Sequence, residues 1–307
     1  MAETPSRSAA GTRGATNARG PVTVRQAVAG AALVLAEAGV PSPDVDARLL
    51  AEHVLGRSLF LVPAAATFAD ASGPRAQARF AELVERRRRR EPLQHITGLM
   101  AFRHLTLAAA PGAFVVRPET EVVAGEAVDA AAAVAATGRA PVVVDLCTGS
   151  GAIALAVATE VPGAVVHAVE LSPAALRVAS RNVDAFAPGV RLVAGDAATA
   201  LPELDGTVDV VVSNPPYIPP DAVPRETEVR EHDPDLALYG GGADGLDTPR
   251  AVVLTAARLL AGGGVFVMEH AEVQARAVRQ VAAAAGLREV RTGRDLTGRD
   301  RYVRARK

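Results

Sequence analysis

The sequence has no tryptophan, few other aromatic residues and a single cysteine. Phe, Tyr and Trp together make up only 3% of the 307 residues, and the one cysteine is Cys147. A lone cysteine excludes an internal disulfide and any metal site built from a cysteine cluster. So small a number of aromatic rings is also poor material for a surface that stacks nucleic-acid bases. We predict no metal cofactor and no direct contact with nucleic acid.

The chain also lacks a strong net charge and a long apolar run. Its formal net charge of −1 offers no bulk positive charge to attract a nucleic acid. Every apolar stretch is interrupted by charge before it reaches the length needed to span a membrane. The content of 49% hydrophobic and 22% charged residues is ordinary for a globular protein. We expect a soluble, cytoplasmic protein that does not associate with membranes.

The first third of the chain has a helical pattern after a short tail. Residues 1–20 are rich in small and polar residues, have no apolar face and predict a disordered tail rather than a transit peptide. Residues 21–99 contain helical segments with capping residues and glycine or proline stops, so they predict a helical domain. Near its end, the run Arg86–Arg90 predicts a solvated helix C-terminus or, alternatively, a basic contact with a partner. Residues 100–118 lose the helical period and predict an extended hairpin or linker.

From residue 119 to the C terminus, short apolar strands alternate with helices. The predicted strands cover residues 142–146, 164–170, 190–195, 208–213 and 264–270, and the predicted helices cover residues 151–160, 173–185 and 248–260. This alternation predicts an α/β domain with a parallel sheet covered on both faces. The tail "LREVRTGRDLTGRDRYVRA" contains two strands that are close in sequence, which predicts an antiparallel closing pair.

Polar residues follow the ends of four successive predicted strands, where α/β sheets bind their ligands. The first strand ends in the glycine turn "DLCTGSG" (145–151), and Glu170 ends the second at the spacing typical of a ribose ligand. Asp196 ends the third strand, where its carboxylate can accept from an adenine amino group, and Asn214 ends the fourth. Because the turn is too short for a dinucleotide pyrophosphate, the pattern favours a ligand with ribose and adenine but no phosphate. S-adenosylmethionine is such a ligand.

The segment "SNPPYIPP" (213–220) ends the fourth strand abruptly. Pro215 and Pro216 have no backbone N–H, so no sheet can continue through them. The Asn214 side-chain oxygen and the Pro215 carbonyl can accept the two N–H groups of a planar amide, and the Tyr217 ring can pack on that amide. Such an arrangement aligns an amide nitrogen with a methyl donor and raises its electron density.

Together, these motifs resemble those of class I S-adenosylmethionine-dependent methyltransferases that act on amino nitrogens. The segments "RRRRREPLQHITG", "VVRPETE", "EHDPDLALYGGGADGLD" and "EHAEVQ" narrow the resemblance to the peptide chain release factor N(5)-glutamine methyltransferases, the PrmC family, from about residue 25 onward. The resemblance implies a Rossmann-like domain over residues 119–307, with a mostly parallel seven-stranded sheet and an antiparallel closing strand. Because a glutamine in a flexible loop offers few side chains to recognise, we expect residues 21–99 to recognise the rest of a folded substrate or, alternatively, only to cover apolar surface of the other domain. The implied reaction moves a methyl group from S-adenosylmethionine to the glutamine of the Gly-Gly-Gln motif in release factors and leaves S-adenosylhomocysteine.

The resemblance also assigns the site residues. It implies catalytic roles for Asn214, Pro215 and Tyr217. The residues that it implies for substrate binding are Asn214, Pro215, Pro216, Tyr217, Arg117 and Glu119. The residues that it implies for cofactor binding are Asp145, Cys147, Thr148, Gly149, Ser150, Gly151, Glu170, Asp196, Ala197 and Asn214. The chain departs from the family pattern where Cys147 replaces a glycine, Glu170 an aspartate and Ala197 an aromatic residue.

Other functions stay open at this point. The same glutamine methylation can act on another protein, such as a ribosomal protein. DNA adenine methyltransferases share the NPPY motif, but the neutral charge and the few aromatic residues disfavour them. A module that only binds S-adenosylmethionine would have no use for Asn214. Cys147 beside Asp145 predicts a small loop residue rather than a nucleophile. His270 with Glu269 predicts a structural strand end rather than an acid/base pair. The long segment 218–246 predicts a lid or a substrate wall.

Overall fold

The computed structural model describes residues 21–307, and the tail predicted over residues 1–20 lies outside the described residues. The chain divides into two compact units, the first ending at Arg89 and the second spanning Arg90–Lys307. The limit expected for the helical domain, residue 99, lies further along the chain. The segment 90–99 therefore belongs to the second unit.

The first unit is a set of short helices. They are α1 (Val24–Glu37), α2 (Pro43–Leu55), α3 (Phe68–Ser72) and α4 (Ala76–Arg88). Helix α1 begins with a capping box, in which the Thr23 side chain accepts from the Gln26 N–H and the Gln26 side chain accepts from the Thr23 N–H. Leu35, Leu50 and Leu83, from three different helices, are fully buried, which gives the unit its own apolar centre.

The run Arg86–Arg90 is largely paired with carboxylates. Arg87 forms a buried ion pair with Asp46, at 2.7 Å. The next two arginines both pair with Glu85, about one turn earlier on α4. The last arginine belongs to the second unit and binds Glu228 through two hydrogen bonds, of 2.9 and 2.5 Å. Because these pairs neutralise much of the run, a basic contact with a partner has less charge available than the sequence indicates.

The second unit combines helices and strands. Its helices are α5 (Leu93–Thr97), α6 (Thr120–Ala135), α7 (Ala152–Glu160), α8 (Pro173–Phe186), α9 (Thr227–His232), α10 (Asp235–Leu238), α11 (Asp247–Leu259) and α12 (Ala275–Ala284). Its strands are β1 (Leu99–Phe102), β2 (Leu105–Ala108), β3 (Val142–Leu146), β4 (Val165–Glu170), β5 (Arg191–Ala194), β6 (Val208–Ser213), β7 (Leu260–Glu269), β8 (Arg288–Arg294) and β9 (Asp300–Arg306). Strands β1 and β2 form an antiparallel hairpin in the segment predicted to be extended.

Seven strands form one sheet in the order β5-β4-β3-β6-β7-β9-β8. The strands from β5 to β7 in this order are parallel, β9 runs antiparallel to β7, and β8 runs antiparallel to β9. This arrangement confirms the predicted fold class. The strand order reverses at β3, which pairs with β4 on one side and with β6 on the other. Sheets of this kind bind ligands at the carboxyl ends of the strands beside such a reversal.

Helices cover both faces of the sheet. Because successive residues of a strand point to opposite faces, neighbouring residues pack against different helices. Val143 of β3 packs in one apolar cluster with α6 and α7, whereas Val144 packs in a second cluster with α11 and α12. The sequence patterns did not predict α6 or α12. Helix α6 is rich in alanine, and its buried positions, such as Val123 and Ala127, are not opposed by a distinct polar face, so no helical period stands out.

Candidate active site

A cavity of about 490 Å³ opens at the carboxyl ends of β3, β4 and β6. Its wall includes the glycine turn after β3, the ends of β4 and β5, the NPPY segment after β6, and much of the long segment predicted to be a lid or a wall. All of the predicted site residues line this cavity except Asp145 and Gly151. The fold therefore brings the two predicted groups, for cofactor and for substrate, to one place.

Asp145 lies behind the glycine turn and supports it from inside the protein. Its side chain is fully buried, and Oδ2 accepts hydrogen bonds from Thr148 Oγ1 at 2.5 Å and from the Ala154 N–H at 3.1 Å. Burial raises the pKa of Asp145 to about 7. Asp145 therefore fixes the turn and the start of α7 and does not line the cavity, and its predicted role in cofactor binding stays a prediction.

The turn itself is tight and contains three residues with left-handed backbone conformations. Gly149 and Gly151 have φ angles of 58° and 85°, which glycine adopts without strain. Cys147 has a φ angle of 60°, an unfavourable conformation for a residue with a side chain. Burial raises the pKa of the Cys147 thiol well above its usual range, so the thiolate is disfavoured. This environment supports the prediction of a small loop residue rather than a nucleophile.

The Glu170 carboxylate is fixed at the rim of the turn. Oε2 accepts from the Gly149 N–H at 2.8 Å, and Oε1 accepts from the Ser172 N–H at 2.7 Å. Each carboxylate oxygen has lone pairs for a further hydrogen bond. Because Glu170 also lines the cavity, it presents a pre-oriented pair of acceptors, which suits a vicinal diol such as that of ribose.

The next strand end supplies an exposed carboxylate and a small apolar residue. Asp196 accepts from the Ala198 N–H at 2.8 Å, and Ala197 is buried beside it in the cavity wall. Among the described residues that line the cavity, the cationic side chains are those of Arg117 and Arg225, and neither belongs to the glycine turn. This half of the cavity therefore suits a nucleoside without phosphate groups.

The NPPY segment is held by a buried network of hydrogen bonds. Asn214 Nδ2 donates to Thr120 Oγ1 at 3.2 Å, and the Thr120 hydroxyl donates to Glu269 Oε2 at 2.8 Å. The Tyr217 hydroxyl donates to the other oxygen of the same carboxylate, Oε1, at 3.2 Å. Glu269 thus fixes both the asparagine and the tyrosine of the motif.

The sequence patterns did not single out Thr120, and they gave Glu269 only a structural role at the end of its strand. Both are almost completely buried, with 1% and 2% of their surface exposed. Burial raises the pKa of Glu269 to about 7, although the hydrogen bond from Thr120 and the positive charge of Arg301 act against this rise. The available signals were the position of Thr120 within "RPETE" and the position of Glu269 at the end of a central strand. His270 is fully buried and its Nδ1 lies 2.9 Å from the Ala271 carbonyl, which agrees with a structural role.

The two charged residues predicted to bind the substrate, Arg117 and Glu119, also line the cavity. Arg117 pairs with Asp233 at 3.2 Å, and its guanidinium lies over the Phe114 ring, 5.3 Å from the ring centre. Burial raises the pKa of Asp233 to about 6. Glu119 lies 3.8 Å from Arg301. These pairs anchor the segment that precedes α6 to the cavity wall.

The glycines of "YGGGADGLD" allow a loop to pack directly on the backbone of NPPY. A Cβ atom on Gly245 would lie 2.5 Å from the Tyr217 carbonyl oxygen, and one on Gly240 would lie 2.7 Å from that of Pro216. Gln274 links this loop to the NPPY segment, because its Nε2 donates to the Tyr217 carbonyl at 2.7 Å and to the carbonyl of the loop residue Asp244 at 2.9 Å. The long segment is therefore an ordered wall with its own short helices, α9 and α10, rather than a structureless loop.

The described residues contain neither a cluster of metal-ligating side chains nor a helix that could cross a membrane. Over residues 21–307, no group of three or more His, Cys, Asp or Glu side chains has a geometry that can hold a metal ion. In the same part of the chain, no helix is long and apolar enough to cross a membrane. The predicted absence of a metal cofactor stays a prediction.

The chain is similar to known methyltransferases. Residues 26–98 match the PrmC N-terminal domain, and residues 143–228 match a methyltransferase domain family. The release factor glutamine methyltransferase of Streptomyces coelicolor is 50% identical over 285 residues, which cover 91% of this chain and 96% of that protein. The protein of the same name from Bifidobacterium longum is 44% identical over 280 residues, covering 88% and 94%. A 4-amino-L-phenylalanine/4-methylamino-L-phenylalanine methyltransferase of Streptomyces pristinaespiralis is 48% identical over 209 residues, covering 68% and 70%.

Proposed function

This chain belongs to the release factor glutamine methyltransferases, and we propose that it methylates the side-chain amide nitrogen of the glutamine in the Gly-Gly-Gln motif of peptide chain release factors. The methyl donor is S-adenosylmethionine, as in other methyltransferases of this fold. Because release factors act in translation, the proposal places the reaction in the cytoplasm. A metal ion has no part in it.

The observation that carries the proposal is a single cavity that joins a nucleoside-type site to an amide-type site. The pre-oriented Glu170 carboxylate and Asp196 lie on one side, and Asn214 and Tyr217 lie on the other. Relatives with the release factor name match the chain over about nine tenths of its length, including the helical first unit.

The residues on the nucleoside side fit S-adenosylmethionine. Glu170 accepts from the ribose hydroxyls with lone pairs that the Gly149 and Ser172 N–H groups leave free. Asp196 accepts from the adenine amino group, and Ala197 gives the ring a small apolar wall. When bound, the cofactor supplies an activated methyl group on a sulfonium centre.

The residues on the amide side position the acceptor nitrogen. A glutamine amide nitrogen is a poor nucleophile, because its lone pair is delocalised into the carbonyl, so its orientation toward the methyl group must be fixed. The Asn214 Oδ1 atom and the Pro215 carbonyl accept its two N–H groups, which raises the electron density on the nitrogen. Tyr217, held through its hydroxyl by Glu269, packs against the planar amide. Arg117 and Glu119 border the entrance for the rest of the substrate.

The helical first unit is proposed to recognise the body of the release factor. A glutamine in a Gly-Gly-Gln loop offers few neighbouring side chains, so discrimination must come from other parts of a folded partner. Residues 26–98 match a domain described with this enzyme family, and the reactive cavity is built by residues of the second unit. A separate unit with its own apolar centre is therefore available for binding the partner.

Incubation of the purified protein with S-adenosylmethionine and alternative acceptors tests the proposal. The acceptors are a purified release factor, the same release factor with its motif glutamine changed to alanine, and 4-amino-L-phenylalanine. The last is included because a relative 48% identical to this chain carries the name of an enzyme for that arylamine. We expect intact-mass analysis to show one added methyl group on the first acceptor alone. Methylation of the arylamine with no change in the release factor would contradict the proposal and favour the second function.

A further inference from the structure

Glu269 occupies a position from which it can control how Asn214 faces the acceptor. The chain of hydrogen bonds runs from Asn214 Nδ2 to Thr120 Oγ1 and from Thr120 Oγ1 to Glu269 Oε2, at 3.2 and 2.8 Å. Asn214 and Thr120 both line the cavity, whereas Glu269 lies behind them. The carboxylate therefore touches the asparagine only through the threonine hydroxyl.

Which group donates and which accepts along these hydrogen bonds follows from the number of hydrogens that each group can donate. An ionised carboxylate has no hydrogen to donate, and a hydroxyl has only one. When Glu269 is ionised, the Thr120 hydroxyl must donate its hydrogen to the carboxylate. It can then only accept a hydrogen bond from its other neighbour. That neighbour is the Asn214 side chain, which must then turn its NH₂ group inward and leave Oδ1 for the substrate.

We propose that Glu269, acting through Thr120, is a positioning residue that sets the orientation of the Asn214 amide and so makes Asn214 an acceptor toward the substrate. This inference rests on the proposed function, because it explains how the site presents an acceptor to an amide N–H. A protonated Glu269 can donate to Thr120, whose hydrogen then goes to Asn214. Asn214 in turn presents its NH₂ group to the cavity, where it opposes the NH₂ group of the glutamine.

A few neighbouring groups raise or lower the pKa of Glu269. Thr120 and Tyr217 donate to it, Arg301 on the neighbouring strand β9 favours its ionised form, and Glu119 opposes that form. Arg301 is itself tied to Asp295 at 3.2 Å. Burial raises the pKa of Glu269 to about 7, so the orientation of Asn214 is expected to change between about pH 6 and pH 8.

The first test observes Asn214 directly and does not depend on activity. In protein labelled with ¹⁵N-asparagine and bound to S-adenosylhomocysteine, the Asn214 side-chain NH₂ signal is assigned with an Asn214→Ala variant. We expect this signal to shift between pH 6 and pH 8 in the wild type and in Thr120→Ser, which keeps the hydroxyl. The shift should be absent in Thr120→Val, which keeps the shape without the hydroxyl, and in Glu269→Gln. A signal that titrates equally in all four proteins, or in none, would overturn the proposal.

The second test measures the consequence for turnover. Under single-turnover conditions with saturating cofactor and release factor, Thr120→Val should be at least about ten-fold slower than Thr120→Ser, with cofactor affinity unchanged. The wild-type rate should rise from pH 6 to pH 8, and the rate of Glu269→Gln should not. Equal rates for the two threonine variants would refute a positioning role. If the NMR shifts follow the scheme but no release factor is methylated, the proposed function fails while the role of Glu269 stands.

Discussion

Replacing Glu170 by alanine tests the assignment of the cofactor side of the cavity. The carboxylate is held by the Gly149 and Ser172 N–H groups, at 2.8 and 2.7 Å, and lines the cavity. A hydrogen bond to a charged group contributes roughly 1.5–3 kcal/mol. We therefore expect S-adenosylmethionine to bind about 10- to 150-fold more weakly to Glu170→Ala, because about 1.4 kcal/mol corresponds to a factor of ten.

Isothermal titration calorimetry with S-adenosylmethionine measures this change. The two backbone N–H groups also lose their acceptor, so a thermal melt must first establish the temperature at which the variant is folded. Glu203→Ala provides a matched control, because Glu203 is an exposed carboxylate outside the cavity. Wild-type affinity in a folded Glu170→Ala protein would remove Glu170 from the cofactor site.

Three further predictions concern the turn and the two units. Burial raises the pKa of Asp145 from 3.8 to about 7, so the folded protein binds more protons than the unfolded chain between these values and loses stability as the pH rises. Asp145→Asn should therefore gain up to about 4 kcal/mol relative to the wild type between pH 4 and pH 8 in urea unfolding, and a pH-independent difference would contradict the buried carboxyl. Because Cys147 has a φ angle of 60°, Cys147→Gly should be more stable than Cys147→Ala by up to about 1 kcal/mol, and the reverse order would show that the turn carries no strain. The fragment 90–307 should bind S-adenosylmethionine but lose methylation of an intact release factor far more than of a Gly-Gly-Gln peptide, whereas equal losses would leave the first unit without a role in recognition.

The sheet and the cavity wall could be predicted from the sequence because their signals are local. Each strand of the parallel sheet is a short apolar run, and polar residues at the strand ends must meet at one edge of such a sheet. The strand-end pattern is sufficient to predict that Glu170 and Asn214 line the cavity. The same pattern identifies Asp145, but sequence position alone cannot distinguish a residue behind the turn from one in the cavity wall.

The residues that sequence reasoning missed are connected only by the three-dimensional fold. Thr120 begins α6 and Glu269 ends β7, and their hydrogen bond links positions 149 residues apart. A buried carboxylate at the end of an apolar strand has the same pattern as a residue with a purely structural role. The alanine-rich helix α6, which carries Thr120, lacks a clear helical period. Only the packing of α6 against the sheet reveals that this carboxylate supports the NPPY motif.

The most direct test of the central claim is to locate the transferred methyl group and to measure how its transfer depends on Asn214. A release factor is incubated with S-adenosylmethionine and either the wild type or Asn214→Ala in a single turnover, and tandem mass spectrometry identifies the modified residue. We expect the methyl group on the glutamine of the Gly-Gly-Gln motif, with transfer about 10²-fold slower in the variant and most of the affinity for the release factor retained. A methyl group on another residue, or a variant as fast as the wild type, would contradict the account.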